Sequence, residues 1–189
     1  MPPSSVVIEI RHATPDDWQP LRDIRLAALA GDPDAFGSTL ERELAFGETE
    51  WRGRARTSAN FLALDGTPVV AIAAGYFDPE CCARDERLLV SMWVQPAHRG
   101  RGLAAELVDA VVAWAMSDGA RSVKLQVTIG NDGARRLYER AGFVAIGDAV
   151  PMKRDRRIRN SGWSGTSSGS GRRSRCYAMA GVRSSTGSA

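Results

Sequence analysis

Residues 90–105 read VSMWVQPAHRGRGLAA, and within them an apolar strand pattern passes through a glycine- and arginine-rich loop into a helix pattern. The apolar run at 88–94 has no turn residues and predicts a central strand, whereas helical spacing of apolar side chains predicts a helix over 102–116. The loop, Arg-Gly-Arg-Gly at 99–102, lets the backbone approach a ligand closely. Free N–H groups and the dipole at the start of a helix attract negative charge. The segment therefore predicts an anion site suited to pyrophosphate.

Strand and helix patterns alternate on both sides of this segment. Strands are predicted over residues 6–11, 61–64, 69–74, 88–94, 123–127 and 143–146, and helices over residues 14–30, 39–44, 102–116 and 132–141. Thr14 before Pro15 marks the start of the first helix, and the pattern at 39–44 has a weaker continuation near Trp51. Asp65-Gly66 between two apolar runs marks a hairpin. This order predicts a mixed sheet with interspersed helices, an α/β or α+β architecture.

Composition places the chain among globular proteins. Its 189 residues are 43% hydrophobic, and no stretch reaches the roughly 18–20 apolar residues of a membrane span. The first residues show no secretory signal pattern. Three cysteines, with Cys81 and Cys82 adjacent, and two histidines supply neither a disulfide framework nor a metal-ligand spacing. We therefore expect a soluble cytoplasmic protein that binds neither a metal nor a membrane.

Charge is distributed unevenly along the chain. Residues 1–154 carry 18 basic and 21 acidic side chains, whereas residues 155–189 carry seven arginines and one aspartate. Half of residues 160–189 are serine or glycine, a composition typical of a flexible chain. We interpret residues 1–155 as one domain and residues 156–189 as a disordered Gly/Ser/Arg-rich tail. A basic tail can bind nucleic acid, but a solvated end is the simpler interpretation, and we expect no nucleic-acid partner.

A second motif follows the loop about thirty residues later. It consists of Asn131, Ala134, Leu137, Tyr138, Gly142 and Phe143, spaced as N-x-x-A-x-x-L-Y-E-x-x-G-F. Together with Arg99-x-x-Gly102-x-Ala104, this spacing resembles the GNAT superfamily of acyl-CoA-dependent N-acetyltransferases. The resemblance covers most of residues 6–147 and is weakest over 31–60. It implies a mixed, largely antiparallel, twisted sheet flanked by helices, in which two central parallel strands splay apart.

The resemblance also implies where acetyl-CoA binds. Its pantetheine arm would pair with the backbone of the central strand, and its pyrophosphate with backbone N–H groups of the loop and the first helical turn. The residues that match are Met92, Trp93 and Val94 on the strand and Arg99, Gly100, Arg101, Gly102, Leu103, Ala104 and Ala105 beyond it. Asn131 would contact the pantetheine or sulfur end, and Tyr138 would lie near the thioester sulfur.

The implied reaction is direct attack of a neutral primary amine on the thioester in a ternary complex. The backbone N–H of Val94 would stabilise the charge that develops on the carbonyl oxygen, and Tyr138 would protonate the departing thiolate. Without the resemblance, Tyr138 would be read as a packing residue of the last helix. An acyl-CoA-sensing module that has lost catalysis is the alternative function.

The sequence does not assign the general base. Asp85 and Glu86 precede the central strand, and Glu9 on the first strand is a weaker candidate. Related proteins often carry a glutamate near the position that Leu88 holds here. His98 precedes the phosphate loop and is expected to be a loop or CoA-edge residue.

The acceptor amine is also open. Phe36, Trp51, Tyr76 and Phe77 could line its pocket, although aromatic side chains at such positions are more often part of a core. The acidic balance of residues 1–154 suits a cationic amine of a small molecule or a protein. The oligomeric state is open as well, and edge strands make a homodimer a reasonable expectation.

The final strand is where the sequence departs from the family pattern. A strand is expected soon after Pro151, between the two strands at 123–127 and 143–146, yet NSGWSG at 160–165 fits no strand pattern. Residues 175–182 could substitute for it. A reading-frame slip near Arg159 is one hypothesis, because residues 160–165 read one base out of register can encode an alternating strand. The nucleotide sequence tests this hypothesis.

Overall fold

In this computed structural model, residues 8–152 and 159–165 are described, and they form one seven-stranded sheet with helices on both faces. The strands are β1 Ile8–His12, β2 Ala59–Asp65, β3 Val69–Tyr76, β4 Glu86–Val94, β5 Ser122–Thr128, β6 Val144–Pro151 and β7 Arg159–Gly165. The helices are α1 Trp18–Gly31, α2 Leu40–Leu44, α3 Glu48–Thr57, α4 Leu103–Ser117 and α5 Asp132–Arg140. The strand order is β1-β2-β3-β4-β5-β7-β6, with β4 and β5 parallel and the other neighbours antiparallel. The predicted mixed, largely antiparallel sheet is confirmed.

Local sequence signals begin and end several of these elements as predicted. Thr14 precedes a 3-10 turn that leads into α1, and its N–H donates to the Asp17 carboxylate at 2.8 Å. The Asp65 N–H donates to the Pro68 carbonyl at 3.0 Å, which closes the β2–β3 hairpin. Near Trp51, the weaker helical continuation is a separate helix, α3, because the chain turns between the end of α2 and Glu48.

Two apolar layers lie on opposite faces of the sheet. On one face α4 packs against β2, β3, β4 and β5, and its residues Leu103, Leu107 and Val111 share a core with Tyr138 of α5. On the other face α1 packs against β3 and β4, and it meets α3 at the fully buried Trp51. The central strands β3 and β4 therefore lie between two helical layers, which makes their path rigid.

The expectation that residues 160–165 fit no strand is wrong. Arg159–Gly165 forms β7, which pairs with β5 on one side and β6 on the other. Its small residues suit this central position, because a Cβ on Gly162 would lie 3.1 Å from the Ile146 carbonyl and one on Gly165 3.1 Å from the Phe143 ring. Trp163 supplies the buried anchor at 6% exposure.

The described part of the predicted tail is thus a sheet strand beyond the expected domain boundary at residue 155. The alternative strand at 175–182 lies outside the described residues. The frame-slip hypothesis stays a prediction, because the nucleotide sequence decides it.

Candidate active site

The two central parallel strands pair over only part of their length. In the described chain, β4 and β5 pair from Glu86–Ser122 to Leu88–Lys124 and then separate. Beyond that point β4 contains a bulge. Trp93 pairs with Ile72 of β3 and Val90 pairs with Ala74, so two residues of β4 lie opposite one residue of β3. Ser91 within this bulge has φ 58°, a left-handed backbone conformation that is uncommon for a residue other than glycine. The outcome is a gap between the carboxyl-terminal halves of β4 and β5.

The Val94 peptide groups face this gap. The Gln95 N–H donates to the Val70 carbonyl at 2.9 Å, so Gln95 and Val70 form a hydrogen-bonded pair of the antiparallel β3–β4 ladder. Hydrogen-bonded and non-bonded pairs alternate in such a ladder, so Trp93 points its peptide groups toward β3 and Val94 points them away. By the same alternation, Met92 also faces away from β3. The gap is thus lined by peptide groups of β4 at alternate residues.

The loop after β4 leaves five consecutive backbone N–H groups free. At one end the Arg99 N–H donates to the Pro96 carbonyl at 3.3 Å, and at the other the Ala105 N–H donates to the Gly102 carbonyl at 2.9 Å. Among the described residues, the N–H groups of 100–104 have no protein acceptor. Gly100 and Gly102 have φ 77° and 88°, a conformation that turns the loop onto the start of α4. These free donors and the α4 dipole together form a site for an anion.

Both arginines of this loop have partners within the protein. Arg99 donates from Nε to the Val94 carbonyl at 2.9 Å and from Nη2 to the Asp32 carboxylate at 2.6 Å. Arg101 lies 3.5 Å from the Asp65 carboxylate, and His98 Nε2 lies 3.1 Å from the same oxygen. The positive charge at the loop is therefore held in place by these carboxylates.

Asp32 is a site residue that the sequence analysis did not single out. Besides Arg99, its Oδ2 accepts the Trp93 indole N–H at 2.6 Å. Burial opposes ionisation of Asp32, yet the hydrogen bonds from Trp93 and Arg99 outweigh it and lower the pKa of the carboxyl group. The sequence Gly31-Asp32-Pro33 was readable only as a helix stop, because Trp93 is 61 residues away.

Asp32 begins a segment, residues 32–36, that we call the crossing loop. At one side Asp32 binds the Trp93 side chain near the end of β4. At the other side the Asp34 carbonyl accepts the hydroxyl of Thr128, the last residue of β5, at 3.1 Å. The crossing loop therefore spans the gap at the ends of the two separated strands.

Tyr138 of α5 is buried in the same core cluster as Val94 and Leu103, with 4% of its surface exposed. Its ring packs edge-on against Phe143 at a centroid distance of 5.7 Å. Burial raises the pKa of the phenol well above its ordinary value, so the group is neutral near pH 7 and carries a proton. Asn131 caps α5, since its Oδ1 accepts the Ala134 N–H at 3.0 Å, and its expected contact with the pantetheine or sulfur end stays a prediction.

The three carboxylates considered as a base lie away from the gap. Glu86 is at the paired end of β4, and its Oε2 accepts the Lys124 ammonium at 2.7 Å and the Ala83 N–H at 2.8 Å. Asp85 is at the same end, with its carbonyl bound by the backbone of β5. Glu9 is exposed on β1, at the edge of the sheet. The structure instead brings Asp32, through Trp93 and Arg99, to the end of β4, and Asp65 to the loop that follows it.

The residues of this site lie within a region that matches a known protein family. Residues 18–143 match the model of the acetyltransferase (GNAT) family, which covers both the loop before α4 and the Tyr138 motif. The chain belongs to the GNAT family. The expected resemblance is thereby confirmed, and the splayed strands and the free N–H groups can be read as features of a GNAT domain.

Individual relatives agree with the family assignment. An L-2,4-diaminobutyric acid acetyltransferase from Streptomyces avermitilis is 37% identical over 103 residues, which are 53% of this chain and 55% of the relative. The chain spans about half the length, or less, of the curated relatives it matches.

Solved structures share the fold. A GNAT acetyltransferase from Streptococcus pneumoniae superposes with a TM-score of 0.72 at 19% identity, covering 85% of this chain and 99% of the other. A GNAT phosphinothricin acetyltransferase from Sinorhizobium meliloti, solved with acetyl-CoA, superposes with a TM-score of 0.70 at 18% identity, covering 84% and 88%.

Within 8–152 and 159–165, no helix has the length and apolar character to cross a membrane. The same residues contain no group of three or more His, Cys, Asp or Glu side chains placed to hold a metal ion.

Proposed function

We propose that this protein transfers the acetyl group of acetyl-CoA to a primary amine of a small molecule or a protein. The observation that carries the proposal is the run of five free N–H groups at 100–104, directly after a strand that has left its parallel neighbour. A pyrophosphate fits such a run because it offers several anionic oxygens at once. The related phosphinothricin acetyltransferase was solved with acetyl-CoA, which supports the choice of ligand.

The pantetheine arm would then lie in the gap beside β4. Its amide groups can pair with the peptide groups of Met92 and Val94, which point away from β3. The expected pairing of the arm with the Trp93 backbone does not follow from this register, because the Trp93 peptide groups face β3. The Val94 carbonyl already accepts a hydrogen bond from the Arg99 side chain. The pantetheine arm can therefore bind the Val94 carbonyl only if Arg99 moves, and otherwise it binds the Val94 N–H alone.

Transfer requires few protein groups. A neutral amine attacks the thioester carbon, and the Val94 N–H stabilises the negative charge on the carbonyl oxygen. The carbon–sulfur bond then breaks, and Tyr138 donates its proton to the departing thiolate. The attacking amine loses its proton through water, and we propose the Asp32 carboxylate of the crossing loop as the group that receives it. The acetylated amine and coenzyme A are the products.

The relatives suggest acceptors without fixing one. The Streptomyces relative is named for L-2,4-diaminobutyric acid, and another relative, from Beutenbergia cavernae, is named a mycothiol acetyltransferase. A homodimer and a cytoplasmic location stay expectations. The panel of acceptors should therefore span amino acids, polyamines, aminoglycosides and peptides with a free N-terminus.

Titration calorimetry with acetyl-CoA and with coenzyme A tests the first step, and mass spectrometry of each incubated amine tests the second. Product mass is preferable to a thiol reagent, because the chain has three cysteines of its own. We expect uptake of both coenzymes and a mass increase of one acetyl group on at least one amine. Failure to bind either coenzyme would refute the proposal. Tight binding without acetylation of any amine would favour the sensing module.

A further inference from the structure

A buried ionic cluster joins three helices on the α1 face of the sheet. Arg25 of α1 donates from Nε and Nη2 to the Glu43 carboxylate of α2 at 3.0 and 2.9 Å. Arg54 of α3 binds the same carboxylate from Nη1 at 2.9 Å. Glu43 has no exposed surface and Arg25 is 6% exposed. We call these three residues the buried cluster.

The buried cluster has one positive charge in excess, since a single carboxylate serves two guanidinium groups. Arg54 keeps 30% of its side chain exposed and lies 5.1 Å over the Trp51 ring, so water and the ring both compensate its charge. Arg25 has 8% of its side chain exposed and is covered by the Phe36 ring at 4.6 Å. Both guanidinium groups bind the one carboxylate, so the excess positive charge belongs to the buried cluster as a whole, and a buried charge without a counter-charge is costly.

The remaining contact of Arg25 reaches the reaction site. Its Nη1 lies 3.4 Å from the Ser91 hydroxyl, a long hydrogen bond to a neutral group. Ser91 is the residue with φ 58° in the bulge of β4, immediately before the gap-facing Met92. Strained backbone of this kind is concentrated at functional positions. Phe36, the end of the crossing loop, covers the same guanidinium. The Arg25 guanidinium, one of the two that share Glu43, thus lies between the bulge and the crossing loop.

We propose that Arg25 and Ser91 bind the carboxylate of the acceptor, which makes the acceptor class amino acids rather than simple amines. This inference rests on the proposed function. The carboxylate accepts from Arg25 Nη1 and from the Ser91 hydroxyl, and it supplies the counter-charge that Glu43 cannot give to both arginines. A charge-assisted bond of this type replaces the long contact to a neutral hydroxyl. The amino group of the same molecule then extends toward Met92 and Val94, where the thioester lies.

The test compares amines that differ only in a carboxylate. Full-length protein is assayed for kcat/KM with L-ornithine and putrescine, L-lysine and cadaverine, and L-alanine and ethylamine, after calorimetry has established acetyl-CoA binding. We expect the amino acid to be preferred by about 10- to 100-fold within at least one pair, as for loss of a hydrogen bond to a buried charge. Arg25→Lys should reduce that preference to about 3-fold or less, chiefly by raising KM for the amino acid.

Two further variants separate binding from folding. Ser91→Ala leaves the buried cluster intact and should weaken the preference about 3-fold, and it decides the matter if Arg25→Lys does not fold. Arg22→Lys changes an exposed arginine of the same helix and should leave the preference unchanged. Equal rates within every pair, or a preference that survives both variants, would overturn the inference. Acetyl-CoA binding without acetylation of any amino acid would also overturn it. If the wild-type protein does not bind acetyl-CoA at all, the proposed function itself is refuted.

Discussion

Gly102→Ala most directly tests the anion loop, by which we mean residues 99–102 before α4 with their free N–H groups. Gly102 has φ 88°, and a Cβ there would meet nothing closer than a Glu106 carboxylate oxygen at 3.7 Å, so the cost comes from the backbone conformation alone. A non-glycine residue in this region costs about 1–2 kcal/mol. For a chain of this length that corresponds to roughly 2–8 °C in Tm. Relaxation of the strain would also turn at least one of the free N–H groups away from the ligand. Loss of one hydrogen bond to a charged group weakens binding by about 1.5–3 kcal/mol.

The expected result is therefore a fall in coenzyme A affinity of roughly 10- to 150-fold, together with the small loss of stability. Gly119→Ala is the matched control, because Gly119 has φ 81° with open space around its Cα but follows the other end of α4. Calorimetry and thermal melting are performed on both variants. Similar losses of Tm with equal coenzyme A affinity in the two variants would refute the assignment of the loop.

Three other predictions concern the proton donor, the buried cluster and β7. Tyr138→Phe should lower kcat about 10²- to 10⁴-fold with unchanged acetyl-CoA affinity, and an unchanged kcat would remove Tyr138 from the mechanism. Burial opposes ionisation of Glu43, but hydrogen bonds and charge from Arg25 and Arg54 outweigh it and lower the pKa of the carboxyl group. The ionised carboxylate therefore contributes its full stabilisation above about pH 4.5, and this contribution is lost as the pH falls further. Urea unfolding from pH 3 to 7 measures the loss, and Glu43→Gln should make the free energy of unfolding less dependent on pH at the acidic end. Trp163→Ala should cost about 3–5 kcal/mol in urea unfolding, whereas the exposed Val144→Ala on β6 should cost little; equal effects would contradict the position of β7.

The anion loop and its helix could be predicted from the sequence because the signals are local. Glycines at 100 and 102 and an apolar helical pattern from Leu103 specify both the turn and the direction of the free N–H groups. The direction of the Val94 peptide groups needed the register of β3 against β4, which no local pattern contains. The role of Val94 could be expected only through the family resemblance.

Residues that depend on distant partners were not predictable. Asp32 acquires its position from Trp93 and Arg99, which are 61 and 67 residues away. Glu43 lies in a polar helix whose sequence predicts exposure, and only Arg25 and Arg54 explain its burial. β7 was not predictable for the same reason. Its glycines and serines show no alternation of apolar and polar residues, and their small size fits only because Phe143 and Ile146 pack closely against Gly165 and Gly162.

The position of β7 also constrains how the protein is made. β5 and β6 emerge from the ribosome before their shared neighbour does, so each carries an unpaired edge until residue 165 has been synthesised. Such edges are templates for pairing with other chains. A message that ends before codon 159 would therefore yield a polypeptide that has the complete loop at 99–102 but leaves β6 without a partner strand. Nascent chains of this protein should need a chaperone most before β7 has emerged from the ribosome.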